Sequence, residues 1–427
     1  FDEISQNGAK FLRHHPSFFS DKCCEVKLQD HASIIYTSGT TGTPKGVVLT
    51  HAQIMSEVGD AFPLLGVTNR DRTLTFLPFA HVLGRIELWG HVFIGYHMAY
   101  AEGVERVREN LQIIKPTILV SVPRIFEKIY NTILVQAEIS PVQNKIFTWA
   151  IDIGRQVSHY KIRKEPLPLE LIVKFQLADR LVLKNIREKF GGELRFSISG
   201  GAPLNATLGE FFHAIGILIL EGYGLTETTA AILVNTPFDY RFGCVGKPIG
   251  DVQVKLAEDG EILIKSKKVM KEYFEDPEAT AQVLHDGWFS TGDIGVISPE
   301  GYLKITDRKK DLIKTAGGKY VAPQKLEALL KTSKYVSQVH IHGDRRKYIV
   351  VLVTLNSLAI EEFLKERKIA ITAPEAIAKH PLVRDLLRRV IAEANKGLAS
   401  FESIKNFAIL PRDFSIEDGE LTPSLKV

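Results

Sequence analysis

Cysteine is scarce in this sequence. Three residues in 427, two of them adjacent at Cys23 and Cys24, build neither a disulfide framework nor a zinc site. That usage fits a reducing compartment, so a cytoplasmic location is the expectation. No apolar run reaches the length of a membrane span, and no signal-peptide pattern opens the chain. It starts at Phe1 in what reads as mid-domain sequence, so an N-terminal portion is expected to be missing, and peripheral membrane contact stays open. Charge of one sign is lacking too. The net charge of +4 is small for this length, and no basic run with interleaved aromatics appears, which argues against nucleic acid. There is no internal repeat and no low-complexity tract. The paired His14 and His15 have no nearby cysteine or acid to complete a metal site.

What the chain does have is length and an ordinary apolar content. At 427 residues with 45% hydrophobic composition, two or more domains with substantial cores are expected. Its most informative stretch is Tyr36-Thr37-Ser38-Gly39-Thr40-Thr41-Gly42-Thr43-Pro44-Lys45-Gly46. Apolar pairs flank it, Ile34-Ile35 before and Val47-Val48 after, so it reads as strand, loop, strand. Glycines let backbone approach an anion, and loop N–H groups and hydroxyls can then point at phosphate oxygens. Lys45 adds one mobile positive charge. The Gly-Lys-Ser/Thr loop of ordinary NTPases opens a helix. Here Pro44 precedes the lysine, Gly46 follows it, and the next residues look like a strand.

Along the rest of the chain, short apolar strands alternate with helical patterns. Leu74–Pro78 and Thr117–Val122 read as buried strands. His81 follows the first of them, where a cleft often lies, although a lone histidine is more often structural. Pro123-Arg124 opens a helix with Ile125, Ile129 and Ile133 on one face. The span from Leu134 to Lys189 is mostly helical, broken at Glu165-Pro166-Leu167-Pro168. Strand Leu194–Ile198 runs into Ser199-Gly200-Gly201-Ala202-Pro203. Strand Ile217–Leu220 runs into Glu221-Gly222-Tyr223-Gly224-Leu225-Thr226-Glu227-Thr228. Such alternation predicts an α/β fold with mostly parallel sheets covered by helices. Ligands in such sheets collect at the carboxyl ends of strands. Residues 243–306 read as a smaller β-rich subdomain, with a hairpin at Asp259-Gly260. Thr306–Asp311 carries five charges in six residues and reads as a solvated linker. The expected domains are a large multi-subdomain N-terminal part over 1–307 and a small, mobile α+β C-terminal domain over 308–427.

The Ser/Thr/Gly/Lys string closely resembles the phosphate-binding signature of the adenylate-forming superfamily, which includes acyl-CoA synthetases, luciferases and the adenylation domains of peptide synthetases. Other segments resemble that family's motifs in the right order. Gly222–Thr228 is similar to its adenine and magnesium motif, Thr291-Gly292-Asp293 to its ribose motif and Asp307–Asp311 to its hinge. Gly317-Gly318-Lys319-Tyr320-Val321 is similar to the segment after the hinge. The texture of Leu77–Val82, Val120–Lys128 and Leu421–Lys426 resembles long-chain fatty acyl-CoA synthetases. Two features depart from that pattern. Val82-Leu83-Gly84 follows His81 where some long-chain members carry a gating tryptophan, and Ile264–Lys268 lacks an expected glycine.

The resemblance implies ATP-dependent activation of a long-chain fatty acid to acyl-AMP and then to acyl-CoA, with ATP, Mg²⁺ and coenzyme A taking part. Lys426, Glu227, Thr226 and His81 are the implied catalytic residues. The implied nucleotide contacts are Thr37, Ser38, Gly39, Thr40, Thr41 and Lys45, then Gly200, Gly201, Ala202, Gly222, Tyr223 and Gly224, with Asp293 and Arg308. Thr40 and Glu227 would hold the metal, Asp307 would act as the hinge, and Gly317 and Gly318 would meet coenzyme A. Two other readings stay open: a ligase that passes the acyl group to a carrier protein, and a non-catalytic fatty-acid or nucleotide-binding protein on the same fold.

Overall fold

The computed structural model describes residues 1–37, 44–137, 140–415 and 417–421. Its central element is a seven-stranded sheet. The order is His97–Tyr100, Arg72–Thr75, Ile118–Ser121, Phe196–Ser199, Ile219–Leu225, Ala230–Val234 and Lys247–Pro248. The first five run parallel and the last two antiparallel. Parallel strands must be covered on both faces, and their near-continuous apolar runs provide for that. Alternate residues feed two cores: Ile118, Phe196 and Leu220 on one face, Leu74, Leu119 and Ile219 on the other. The second core is closed by long helices, chiefly Pro123–Ala137 and Pro141–Arg163.

Beside this sheet lies a three-stranded antiparallel one, made by His31–Thr37, Lys45–Thr50 and Glu272–Tyr273. A five-stranded antiparallel sheet follows, with Gln253–Leu256, Glu261–Lys265, Trp288–Ile297, Leu284–His285 and Leu303–Arg308. It is the β-rich region expected from residues 243–306. The C-terminal residues build their own core around Val339, Val351 and Leu387. There the strands Val336–His342, Ile349–Leu355 and Ile404–Leu410 carry the helices Pro323–Leu330, Ser357–Glu366 and Pro381–Asn395. Among the described residues no helix is long and apolar enough to cross a membrane.

Two expectations need correcting. The strand expected over Ile217–Leu220 runs instead over Ile219–Leu225, so the glycine motif lies inside the strand and not in a loop beyond it. Gly224 makes this work. A bulge in the pairing falls between Tyr223 and Gly224, and a Cβ on Gly224 would stand 1.4 Å from the Ala230 carbonyl oxygen. The charged run at Thr306–Asp311 is not a solvated linker over its first half. Asp307 sits in a strand opposite Ile294 and is only 1% exposed. Its charge pattern gave no sign of this, because the partner strand is supplied from elsewhere in the chain. The short helix Pro374–Lys379 and the strand Ile404–Leu410 were not anticipated.

Candidate active site

The hairpin that carries the phosphate-type string aligns its two ends. Thr37 is the last residue of one strand and Lys45 the first of the next, and the two are register partners. The Thr37 hydroxyl donates to the Lys45 carbonyl at 3.4 Å. Ser38, Gly39, Thr40 and Thr41 lie outside the described residues. The third strand of this sheet brings in Tyr273, a residue that no sequence pattern singled out. The Lys45 ammonium lies 5.0 Å from the centroid of the Tyr273 ring. The Tyr273 hydroxyl donates to Glu227 Oε1 at 2.8 Å. One aromatic side chain thus links the expected phosphate cation to the expected metal ligand. Burial, and then the negative charge of Glu227, pushes the Tyr273 phenol above its usual range, so it stays a proton donor.

Glu227 stands on a one-turn helix, Thr226–Thr228, directly after the strand Ile219–Leu225. Thr226 is buried and Glu227 half-buried. The turn closes on Thr229, whose φ is +58°, and the Thr229 hydroxyl donates to the Lys268 carbonyl at 2.6 Å. Lys268 is itself fully buried. Its ammonium donates to the Ser56 carbonyl and hydroxyl, both at 3.1 Å, and pairs with Asp60. It lies in the segment that lacks the expected glycine, and its side chain pins that segment to the helix His51–Leu64.

Four residues upstream of Glu227, Tyr223 opens a second cluster. Its hydroxyl donates to Asp293 Oδ2 at 2.6 Å, and Arg308 Nε donates to Asp293 Oδ1 at 3.1 Å. Asp293 and Arg308 face each other across two paired strands, which fixes their approach. Asp293 is 4% exposed and Tyr223 7%. Burial, reinforced by the Asp293 charge, raises the phenol well above its usual range.

The glycine pair follows the strand Phe196–Ser199. Gly200 donates its N–H to the Ser121 carbonyl at 3.1 Å, and Gly201 has φ +78°. A Cβ on Gly200 would stand 3.4 Å from Leu83 and 3.8 Å from the Gly222 oxygen, so the two glycine clusters and the start of the helix Val82–Ile94 are neighbours. Gly201 and Ala202 are exposed. Buried Glu221 braces this corner by accepting from the N–H groups of Leu204 at 3.3 Å and Gly243 at 3.2 Å. Desolvation pushes its carboxyl up to about 8. Only its place next to Gly222 could have flagged it. His81 caps the helix Val82–Ile94, with Nδ1 accepting from the Leu83 N–H at 3.1 Å, which leaves the ring proton on Nε2.

Asp307 adjoins the second cluster through Arg308. Asp307 accepts from the Arg308 N–H at 2.6 Å through Oδ1, while its buried Oδ2 has no hydrogen-bond partner among the described residues. Burial pushes its carboxyl up to about 6. Gly317 and Gly318 form an exposed turn between the strands Ile313–Lys314 and Tyr320–Val321. Lys426 lies outside the described residues.

Comparison with known proteins identifies the family and the fold. The AMP-binding enzyme family matches residues 5–274, and the AMP-binding enzyme C-terminal domain matches residues 310–422. The long-chain-fatty-acid–CoA ligase FadD15 of Mycobacterium tuberculosis is 37% identical over 432 aligned residues, covering 100% of this chain and 71% of that protein. Long-chain-fatty-acid–CoA ligase 5 of Mus musculus is 34% identical, over 94% of this chain and 60% of its own length. Among solved structures, the adenylation domain of a carboxylate reductase from Mycobacterium chelonae superposes with a TM-score of 0.70 at 25% identity, covering 94% of this chain and 58% of that one. O-succinylbenzoate coenzyme A synthetase from Bacillus subtilis, solved with ATP and magnesium, gives a TM-score of 0.62 at 24% identity, over 91% of this chain and 68% of its own, a likeness of fold. The chain belongs to the AMP-binding enzyme family, where it aligns with the long-chain fatty-acid–CoA ligases.

Proposed function

We propose that this chain joins a long-chain fatty acid to coenzyme A in two steps through a bound acyl-AMP. The observation that carries the reading is the segment Gly222–Thr228. It holds Glu227 against Tyr273, whose ring faces Lys45, at one end, and Tyr223 against Asp293, which Arg308 also bonds, at the other. A nucleotide needs both at once, a cation for its phosphates and acceptors for its sugar hydroxyls.

In the first step a carboxylate oxygen of the fatty acid attacks the α-phosphorus of ATP. The new O–P bond forms as the bond to the β-phosphate oxygen breaks, and pyrophosphate leaves with the electron pair. Lys45 meets the negative charge of the outer phosphates, with Thr37, Ser38, Gly39, Thr40 and Thr41 around them. Phosphoryl transfer of this kind rests on positioning and charge neutralisation. Glu227, with Thr40, would hold Mg²⁺, a hard cation that takes oxygen ligands and neutralises phosphate charge. The half-buried carboxylate fits that ion, since it keeps Oε2 beyond the oxygen held by Tyr273. Asp293 accepts from the ribose hydroxyls, Arg308 holds Asp293 in place, and Gly200, Gly201, Ala202, Gly222 and Gly224 let backbone approach the ligand. Tyr223 packs beside the base and orients Asp293. Thr226 and His81 complete the proposed catalytic set. Lys426 bridges the carboxylate and the α-phosphate.

In the second step the coenzyme A thiol gives up its proton to solvent, its sulfur bonds to the acyl carbonyl carbon, and the bond from that carbon to the phosphate oxygen breaks as AMP leaves with the electron pair. We place the domain boundary at Asp307–Arg308. Rotation there withdraws Lys426 and brings Gly317 and Gly318 to the coenzyme A. A panel of fatty acids with ATP and Mg²⁺, with and without coenzyme A, tests the reading. Acid-dependent AMP and thioester together are expected only when coenzyme A is present. Acyl-AMP as the final product under all conditions points to a carrier-protein ligase, and tight binding with no pyrophosphate released removes the enzymatic reading.

A further inference from the structure

The two units touch at a second place, away from the crossing at Asp307. Among the described residues, the side-chain hydrogen bonds that join them there come from Arg124 and Asn205. Arg124 is the second residue of the helix Pro123–Ala137, which starts where the central strand Ile118–Ser121 ends. Among the described residues, its guanidinium reaches C-terminal partners beyond its own helix. One nitrogen donates to the Ser337 carbonyl, and Nη2 donates to the Ser337 hydroxyl at 2.8 Å. Asp413 Oδ2 lies 3.7 Å from that same Nη2. The Ser337 hydroxyl in turn donates to Asp413 at 2.8 Å, and the Thr354 hydroxyl donates to the other carboxylate oxygen. Asn205 adds a bond to the Ala328 carbonyl at 3.1 Å.

Three properties of this contact matter. Its side-chain bonds are polar, as is common where two units of one chain meet and move. Its acceptors are a carbonyl, a hydroxyl and a carboxylate, a set that the planar fork of arginine reads and a point charge does not. And Asp413, in the stretch of chain that leads on to Lys426, is fastened both to the C-terminal sheet and to Arg124. The coenzyme A segment, Gly317-Gly318, is meanwhile exposed.

We propose that Arg124 is the clasp that holds the C-terminal unit in the arrangement described here, and that it serves as a positioning residue for the carboxylate-activating step alone. The inference rests on the two-step reading above. The clasp must open before the unit can rotate for thioester formation.

The test uses Arg124→Ala, Arg124→Lys, Asp413→Asn and the double variant Arg124→Ala/Asp413→Asn in the full chain. Two rates are read: fatty-acid-dependent exchange of pyrophosphate into ATP, and thioester formation from supplied acyl-AMP and coenzyme A. Amide hydrogen exchange of residues 411–415 and 336–342 without substrate gives a third readout. Arg124→Ala should lower the exchange rate on the order of tenfold, the value of a charged hydrogen bond, and leave the thioester rate equal or faster. Arg124→Lys should restore part of the loss, and the two single effects should not add in the double variant. Amide exchange should rise in residues 411–415. The clasp is refuted by equal loss in both steps, or by an unchanged pyrophosphate exchange rate with unchanged amide protection. If the parent shows no acid-dependent pyrophosphate exchange, the activity reading fails on its own, and amide protection alone decides whether Arg124 holds the units together.

Discussion

Glu87 shows how a single side chain can set a pH dependence far from any ligand. It is fully buried on the helix Val82–Ile94, and Thr73 and Thr75 of the central sheet lie against it. Desolvation pushes its carboxyl up to about 7, with the two hydroxyls opposing the shift. A carboxyl whose folded value is raised stabilises the protein fully below its ordinary value of about 4.3 and loses that contribution as pH rises through 7. Glu87→Gln carries no proton to lose. It should match the parent near pH 4 and exceed its stability by about 3 kcal/mol at pH 8, read as a melting curve at each pH. A parallel shift of both curves would remove the carboxyl as the cause. Glu221 and Asp307, raised to about 8 and about 6, act in the same direction, so the parent's stability should decline from pH 5 to 8 even without Glu87. None of these three was legible as a buried acid. Glu221 and Asp307 have a glycine or a charged residue beside them and Glu87 lies between Ile86 and Leu88, and in each case burial was decided by partners distant in sequence.

At the scale of elements, the strand Ile219–Leu225 is the one on which the site depends. Its first residues bury apolar side chains in the sheet, and its last carry Tyr223 into contact with Asp293. The bulge at Gly224 then turns the chain so that Glu227 faces Tyr273. Gly224→Ala would drive a methyl group into the Ala230 carbonyl, so the bulge must distort. A loss of about 3 kcal/mol in stability is expected, together with weaker nucleotide affinity. A variant with parent-like melting would show that the bulge is not fixed by that contact. The alternation of strands and helices was readable because parallel strands are continuous apolar runs and the helices between them have a one-sided period. The bulge was not readable, since a glycine in a strand and a glycine in a loop look alike until the pairing partner is known. Tyr273 escaped for the same reason. It acts through a two-residue strand whose place is set by the hairpin His31–Thr50, far away in sequence.

For the whole molecule, the issue is how two units share one reaction. The C-terminal residues fold around their own core, and Asp307, the proposed hinge, is the buried next-to-last residue of a paired strand. A hinge residue absorbs backbone change at one position while its surroundings hold. Asp307 Oδ2, which has no hydrogen-bond partner among the described residues, suits the proposed role, since no bond to it from those residues must break when the strand end turns. Lys426→Ala is expected to slow acyl-AMP formation about a hundredfold, the scale of removing one electrostatic stabiliser, and to spare thioester formation from supplied acyl-AMP. Equal loss of both rates would place that lysine outside the first step. The order of the motifs along the chain made the two-unit plan legible. The contact between the units was not, because Arg124 and Asp413 lie 3.7 Å apart in space with most of the chain between them.

The central claim is that nucleotide lies against the cluster formed by Tyr223, Asp293 and Arg308, and calorimetric titration with AMP tests it most directly. Asp293→Asn keeps the shape but removes the charge and one acceptor oxygen. The account predicts that the parent binds AMP and that Asp293→Asn binds it more weakly, on the order of tenfold. Equal affinity in a variant that melts like the parent would contradict it.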